Sequence, residues 1–142
     1  TDLQYLRAAG LSPEDVSGIV ALDGAAYDVP SQMSENARLM GDTYVQAFGT
    51  DSDRQRALSP THHAVAPNAP AFLIVHVERD DAREQSEKLG SALRRAGTPV
   101  MVRQFAGRGL RGHMEINRKL GQVDYPATAV VDAFLLERFA KP

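Results

Sequence analysis

Cysteine is absent from all 142 residues, which excludes disulfides, thiolate zinc sites and cysteine nucleophiles together. A cytoplasmic home fits that absence. No apolar run approaches the roughly 20 residues needed to span a bilayer. The opening TDLQYLRAAG has neither the basic start nor the apolar run of a secretory signal. An excess of basic charge is missing too: 16 Lys and Arg stand against 18 Asp and Glu, with no long basic run, so nucleic acid is not an expected partner. Internal repeats and low-complexity stretches are also lacking.

What is present suits one domain. With 43% hydrophobic residues the chain can bury a core, and 24% charged residues is ordinary for a soluble protein. Three short runs read as strands: residues 18–24 (GIVALDG), 71–77 (AFLIVHV) and 99–105 (PVMVRQF). Continuous apolar runs of this kind suit strands covered on both faces, the condition of a parallel sheet. The third run is more polar and alternates, which suits a sheet edge and a dimer contact. A helix over 82–96 gathers Ala82, Leu89, Ala92, Leu93 and Ala96 on one stripe and stops at Gly97. Another over 126–139 starts at Pro126, where a missing N–H costs nothing. A third is expected near 34–47, from Ala37, Met40, Tyr44 and Phe48, and 50–70 reads as loop with a helical turn. The order predicts an α/β fold with parallel strands, and function in the loops at their carboxyl ends.

Those loops begin at Asp23, Glu78 and Ala106. The second holds Asp80 and Asp81; the third holds His113 among Gly107, Gly109 and Gly112, which would let the backbone bend to present the imidazole. An acid after one strand and a histidine after the next can form the orienting pair of a hydrolytic triad, in which the carboxylate fixes the imidazole and the imidazole takes a proton from a hydroxyl. His76, ending a strand, is expected to bond backbone. His62 and His63 are adjacent, so in an extended chain they point opposite ways and do not suggest a metal. Nothing calls for a cofactor.

Several segments carry a family resemblance. Residues 71–86 (AFLIVHVERDDAREQS) resemble the α/β-hydrolase segment in which a buried strand ends in His, followed shortly by the triad Asp and then by Gln-Ser opening a helix. HMEINRKLG, residues 113–121, is similar to the stretch that begins with the triad histidine. Residues 10–16 and 18–30 resemble the sixth strand and its exit in hormone-sensitive-lipase-like and arylformamidase-like carboxylesterases, and Ser59-Pro60, His63 and Pro70 match the stretch before the seventh. The resemblance implies that residues 1–142 are the C-terminal half of one α/β-hydrolase domain, with a helical excursion at about 28–58. It implies Asp80 as the acid and His113 as the base. Asp81 is the nearest rival because the turn is shorter than the family's. Asp23 ranks third, because some members place the acid after the sixth strand.

The family's nucleophile sits in G-x-S-x-G. None of the eight serines (12, 17, 31, 34, 52, 59, 86, 91) lies in that pattern, and Ser12 reads as a helix cap. The glycine-rich oxyanion segment is missing as well. By the resemblance, the chain starts just downstream of the serine. The expected activity is hydrolysis of a small-molecule carboxylic ester by an assembled enzyme to which this chain supplies Asp and His. The partner is a separate N-terminal half or a second copy. Aryl-formamide hydrolysis and a non-catalytic binding or interaction domain are the alternatives. Ala25, Ala26, Tyr27, Met33 and Met40 are candidates for the substrate pocket.

Overall fold

A computed structural model describes residues 2–65 and 67–140, apart from the side chains of residues 35–40. Its centre is a three-stranded parallel sheet in the order β1 (Ile19–Leu22), β2 (Phe72–Glu78), β3 (Val100–Arg108). The apolar runs therefore form parallel neighbours, as their composition predicts. Ile19 lies opposite Phe72, and Phe72 opposite Val100. β2 is central, and Leu73, Ile74, Val75 and Val77 are fully buried. Each such side chain contributes about 1.5–3 kcal/mol by leaving water.

Alternation along β2 divides the core between two faces. Leu73, Val75 and Val77 pack with Ile116 of α5 (Gly109–Lys119) and with Ala127, Val131 and Phe134 of α6 (Pro126–Phe139). Phe72 and Ile74 face the other way, onto Leu89, Ala92 and Leu93 of α4 (Asp80–Arg95). Helices thus cover both faces, giving the α/β architecture. α4 has Asp80 and Asp81 in its first turn and Arg94 and Arg95 in its last, each complementing the helix dipole. β3 is an edge, as expected, and carries exposed Arg103 and Gln104. β1 is the other edge; it is short, wholly apolar and only half-buried.

Three boundaries differ from the sequence reading. The helix expected near 34–47 is α2 (Val29–Phe48); it starts earlier because Asp28 caps it through the Ser31 N–H and Pro30 occupies its first turn. Ala37 and Met40, two residues of the stripe read there, have side chains outside the described set. Residues 50–70 hold more structure than one turn, namely α3 (Ser52–Ala57) and a 3₁₀ turn at Pro60–His63. The glycine-rich loop expected after the third strand is mostly absent. β3 runs on to Arg108 and α5 begins at once, so His113 sits inside a helix. A six-residue α1 (Leu3–Ala8), with no buried residue, precedes the sheet.

Two substitutions check this packing. Ile74→Ala should cost about 2–5 kcal/mol in urea unfolding, because the site cannot collapse around the missing atoms. Gly41→Ala should instead stabilise by about 0.5–1 kcal/mol. Gly41 lies within α2, and an added Cβ there meets nothing within 4 Å.

Candidate functional site

Asp23 is the first residue past β1. Its N–H bonds Val75 O at 2.7 Å, which keeps it in register with the sheet, and its φ of 42° then turns the chain sharply. Aspartate tolerates this left-handed conformation better than most residues. The side chain is fully buried. Oδ1 accepts from Val77 N–H at 2.9 Å, and Oδ2 lies 2.8 Å from His113 Nδ1. The loop that follows is tied down by side chains: Gln32 Oε1 accepts from Ala26 N–H, Gln85 Oε1 from Asp28 N–H, and Ser59 Oγ from Val29 N–H.

His113 reaches Asp23 because α5 lies close against the end of β3. Gly107 has φ 135°, and a Cβ built on Gly112 would stand 2.6 Å from the Gly107 carbonyl carbon. Only two glycines permit this approach. Gly112 and Ile116 form the buried side of α5, and His113 sits at its margin with 32% of its side chain exposed. With Nδ1–H donated to the carboxylate, a neutral ring keeps its lone pair at Nε2. That is the orientation in which an imidazole accepts a proton from a hydroxyl or from water.

The expected pairing of Asp80 with His113 is corrected by this geometry. Arg79 alone links β2 to α4, and its N–H bonds Val77 O at 2.8 Å. So tight a turn places Asp80 at the start of the helix, where its carboxylate is fully exposed and lies 3.6 Å from Arg83. Asp81, the second choice, points to Arg79 Nε at 3.4 Å. Asp23, ranked third, is the carboxylate that meets the histidine. The signal for it was an Asp-Gly pair immediately after a continuous apolar strand, together with the shortness of the turn at Arg79.

His76 is buried, and its Nδ1 donates to Val77 O at 2.9 Å. His62 is exposed, while His63 Nε2 donates to Ala57 O and Nδ1 lies 3.6 Å from Asp2. Among the described residues, no group of three or more His, Asp or Glu could hold a metal. No serine or threonine hydroxyl among them bonds the His113 ring. No helix among them is long and apolar enough to cross a membrane.

Of the pocket candidates, Tyr27 forms part of the wall of an apolar cavity of about 340 Å³ with Tyr5, Ile19, Leu58, Phe72 and Leu93. Burial pushes the Tyr27 hydroxyl pKa up, against a hydrogen bond from the Gly24 backbone. Ala25, Ala26 and Met33 are half-buried, and the Met40 side chain lies outside the described residues. No family model matches the chain, and no curated protein matches it.

Gly112→Ala tests the close approach that delivers His113. The added methyl has only backbone to displace, so α5 should move off β3, costing about 1–3 kcal/mol. The measurement is the urea midpoint together with the His113 ring proton signals; an unmoved midpoint and unchanged ring signals would contradict the account.

Proposed function

We propose that Asp23 and His113 are the acid and base of a serine-type hydrolase acting on small-molecule carboxylic esters, with the nucleophile supplied by a segment outside the described residues. The observation that carries this reading is the 2.8 Å contact between a fully buried carboxylate and a partly exposed imidazole, both at the carboxyl ends of parallel strands. A carboxylate so placed holds the ring in one tautomer and stabilises the imidazolium that forms during turnover.

The edge of β1 supports a missing neighbour. Ile19 and Asp23 donate their N–H groups toward β2, so the backbone groups of Val20 and Leu22 face the opposite, open side. Val20 and Leu22 pack on one core cluster, Ile19 and Ala21 on the other, and all four are only half-buried. An apolar edge without charge or proline is a template for a further strand. A strand added there would end beside Asp23. The loop after it is the natural place for a hydroxyl within reach of His113 Nε2. The N-terminal half of the same hydrolase is the partner that fits; a second copy of this chain lacks the G-x-S-x-G pattern.

In the proposed reaction the serine attacks the ester carbonyl while His113 takes its proton. The imidazolium, held by Asp23, then protonates the departing alcohol, leaving an acyl-enzyme. Water then attacks the acyl-enzyme, giving a proton to His113, which passes it to the serine oxygen as the acyl bond breaks and the acid leaves. Hydrolysis of an aryl formamide would use the same pair in the same roles.

The test uses the assembled protein with a short-chain aryl ester. His113→Ala and Asp23→Asn should each lower turnover about ten-thousand-fold, whereas Asp80→Asn should leave it at the parent rate. A fluorophosphonate probe should label one serine, outside the residues described here. Parent-rate turnover by His113→Ala would sink the hydrolase reading.

A further inference from the structure

The buried carboxylate of Asp23 has a third neighbour. Arg79 Nε lies 3.8 Å from Asp23 Oδ2 and 3.4 Å from Asp81 Oδ1, and its side chain is only 14% exposed. Arg79 is fixed at its root: it is the single residue between β2 and α4, and its N–H is bonded to Val77 O. Its Nε is buried and makes no hydrogen bond. The guanidinium is therefore held between two carboxylates by charge, without being committed to either.

The charge balance gives this placement a purpose. A general base must be neutral before it acts, and while His113 is neutral it supplies no countercharge to Asp23. An unpaired charge in a site without water is costly, several kcal/mol even after relaxation. The other titratable groups facing the pair cannot supply the balance. Burial raises the pKa of Tyr27, from the loop after β1, and that of Tyr125, from the turn before α6, and Asp23 adds to each shift, so both phenols stay neutral. Glu115 of α5 is held by Lys119. Among the described residues, Arg79 and His113 are the only side chains in ionic contact with Asp23.

We propose that Arg79 is a positioning residue for the Asp23–His113 pair, anchored by Asp81, which holds the Asp23 carboxylate in line with His113 Nδ1 whenever the imidazole is neutral. The proposal rests on reading that pair as acid and base. Asp81 thus acts on the site at one remove.

The test is made on this chain without any substrate, by following exchange of the His113 Nδ1 proton with water in nitrogen-15-labelled protein. In the parent this proton should be protected. Arg79→Gln should speed its exchange by about tenfold or more, Arg79→Lys should restore part of the protection, and Asp81→Asn should give a smaller loss. Backbone amide signals of β2 and β3 report whether the sheet is intact. If Arg79→Gln does not fold, Asp81→Asn decides, since Asp81 is on the outer first turn of α4. Unchanged exchange in the variants that fold would overturn the proposal. In the assembled protein, Arg79→Gln should lower kcat and leave KM, a split that a merely structural role would not give. Protection lost in these variants, in a protein whose His113→Ala form still hydrolyses ester, would keep Arg79 as an organiser of the pair while removing the hydrolase reading.

Discussion

A carboxylate shut away from water must find all its partners within the protein, and Asp23 finds them on three separate elements. Val77 N–H comes from the end of β2, the imidazole from α5 and the guanidinium from the β2–α4 junction. Hydrogen bonds to a charged group contribute about 1.5–3 kcal/mol each, and leaving one unmade in a buried site costs a comparable amount. The carboxyl end of the sheet is thereby tied into one unit. β1 is held to β2 by few backbone bonds, yet the side chain just beyond it reaches across β2 to the helix that follows β3.

That reach depends on how closely the strands and helices meet. A single residue joins β2 to α4, and none intervenes between β3 and α5. Short links leave little slack, so Gly107 and Gly112 must touch backbone to backbone and His113 is delivered at one fixed height above the sheet. The same economy at Arg79 directs Asp80 out into solvent. One short turn therefore points Asp80 away from the His113 ring, and the carboxylate that meets the ring comes from the end of the neighbouring strand.

Much of this was legible in the sequence. Residues 71–77 are too continuously apolar for anything but a strand covered on both faces, and the parallel order follows from the helix between it and residues 99–105. The alternation of Val100, Val102 and Gln104 with Met101, Arg103 and Phe105, which brings Arg103 and Gln104 into the strand, marked an edge. His113 was legible from its glycines, although they serve a close contact and a helix start instead of an open loop. The acid was not. Asp80 and Asp23 both follow apolar strands, and the choice between them depends on whether Arg79 can turn the chain alone, a matter of three-dimensional closure that local pattern does not carry. The early start of α2 was missed because Asp28 and Pro30 lie outside the apolar stripe that signalled the helix. The long-range bonds of Gln85 and Ser59 to the loop after β1 leave no local trace at all.

The register of the strands also says something about time. β2, α4 and β3 close a compact unit of neighbours in sequence, but Ile19 must find Phe72 across about 50 residues, and closing so long a loop costs entropy before any contact rewards it. Nucleation should therefore favour the β2–α4–β3 segment, with β1 condensing onto it afterwards. Until then, Val77 N–H and His113 stand in a half-built site. The last strand to arrive brings the carboxylate with it, so completion of the pair is tied to completion of the sheet.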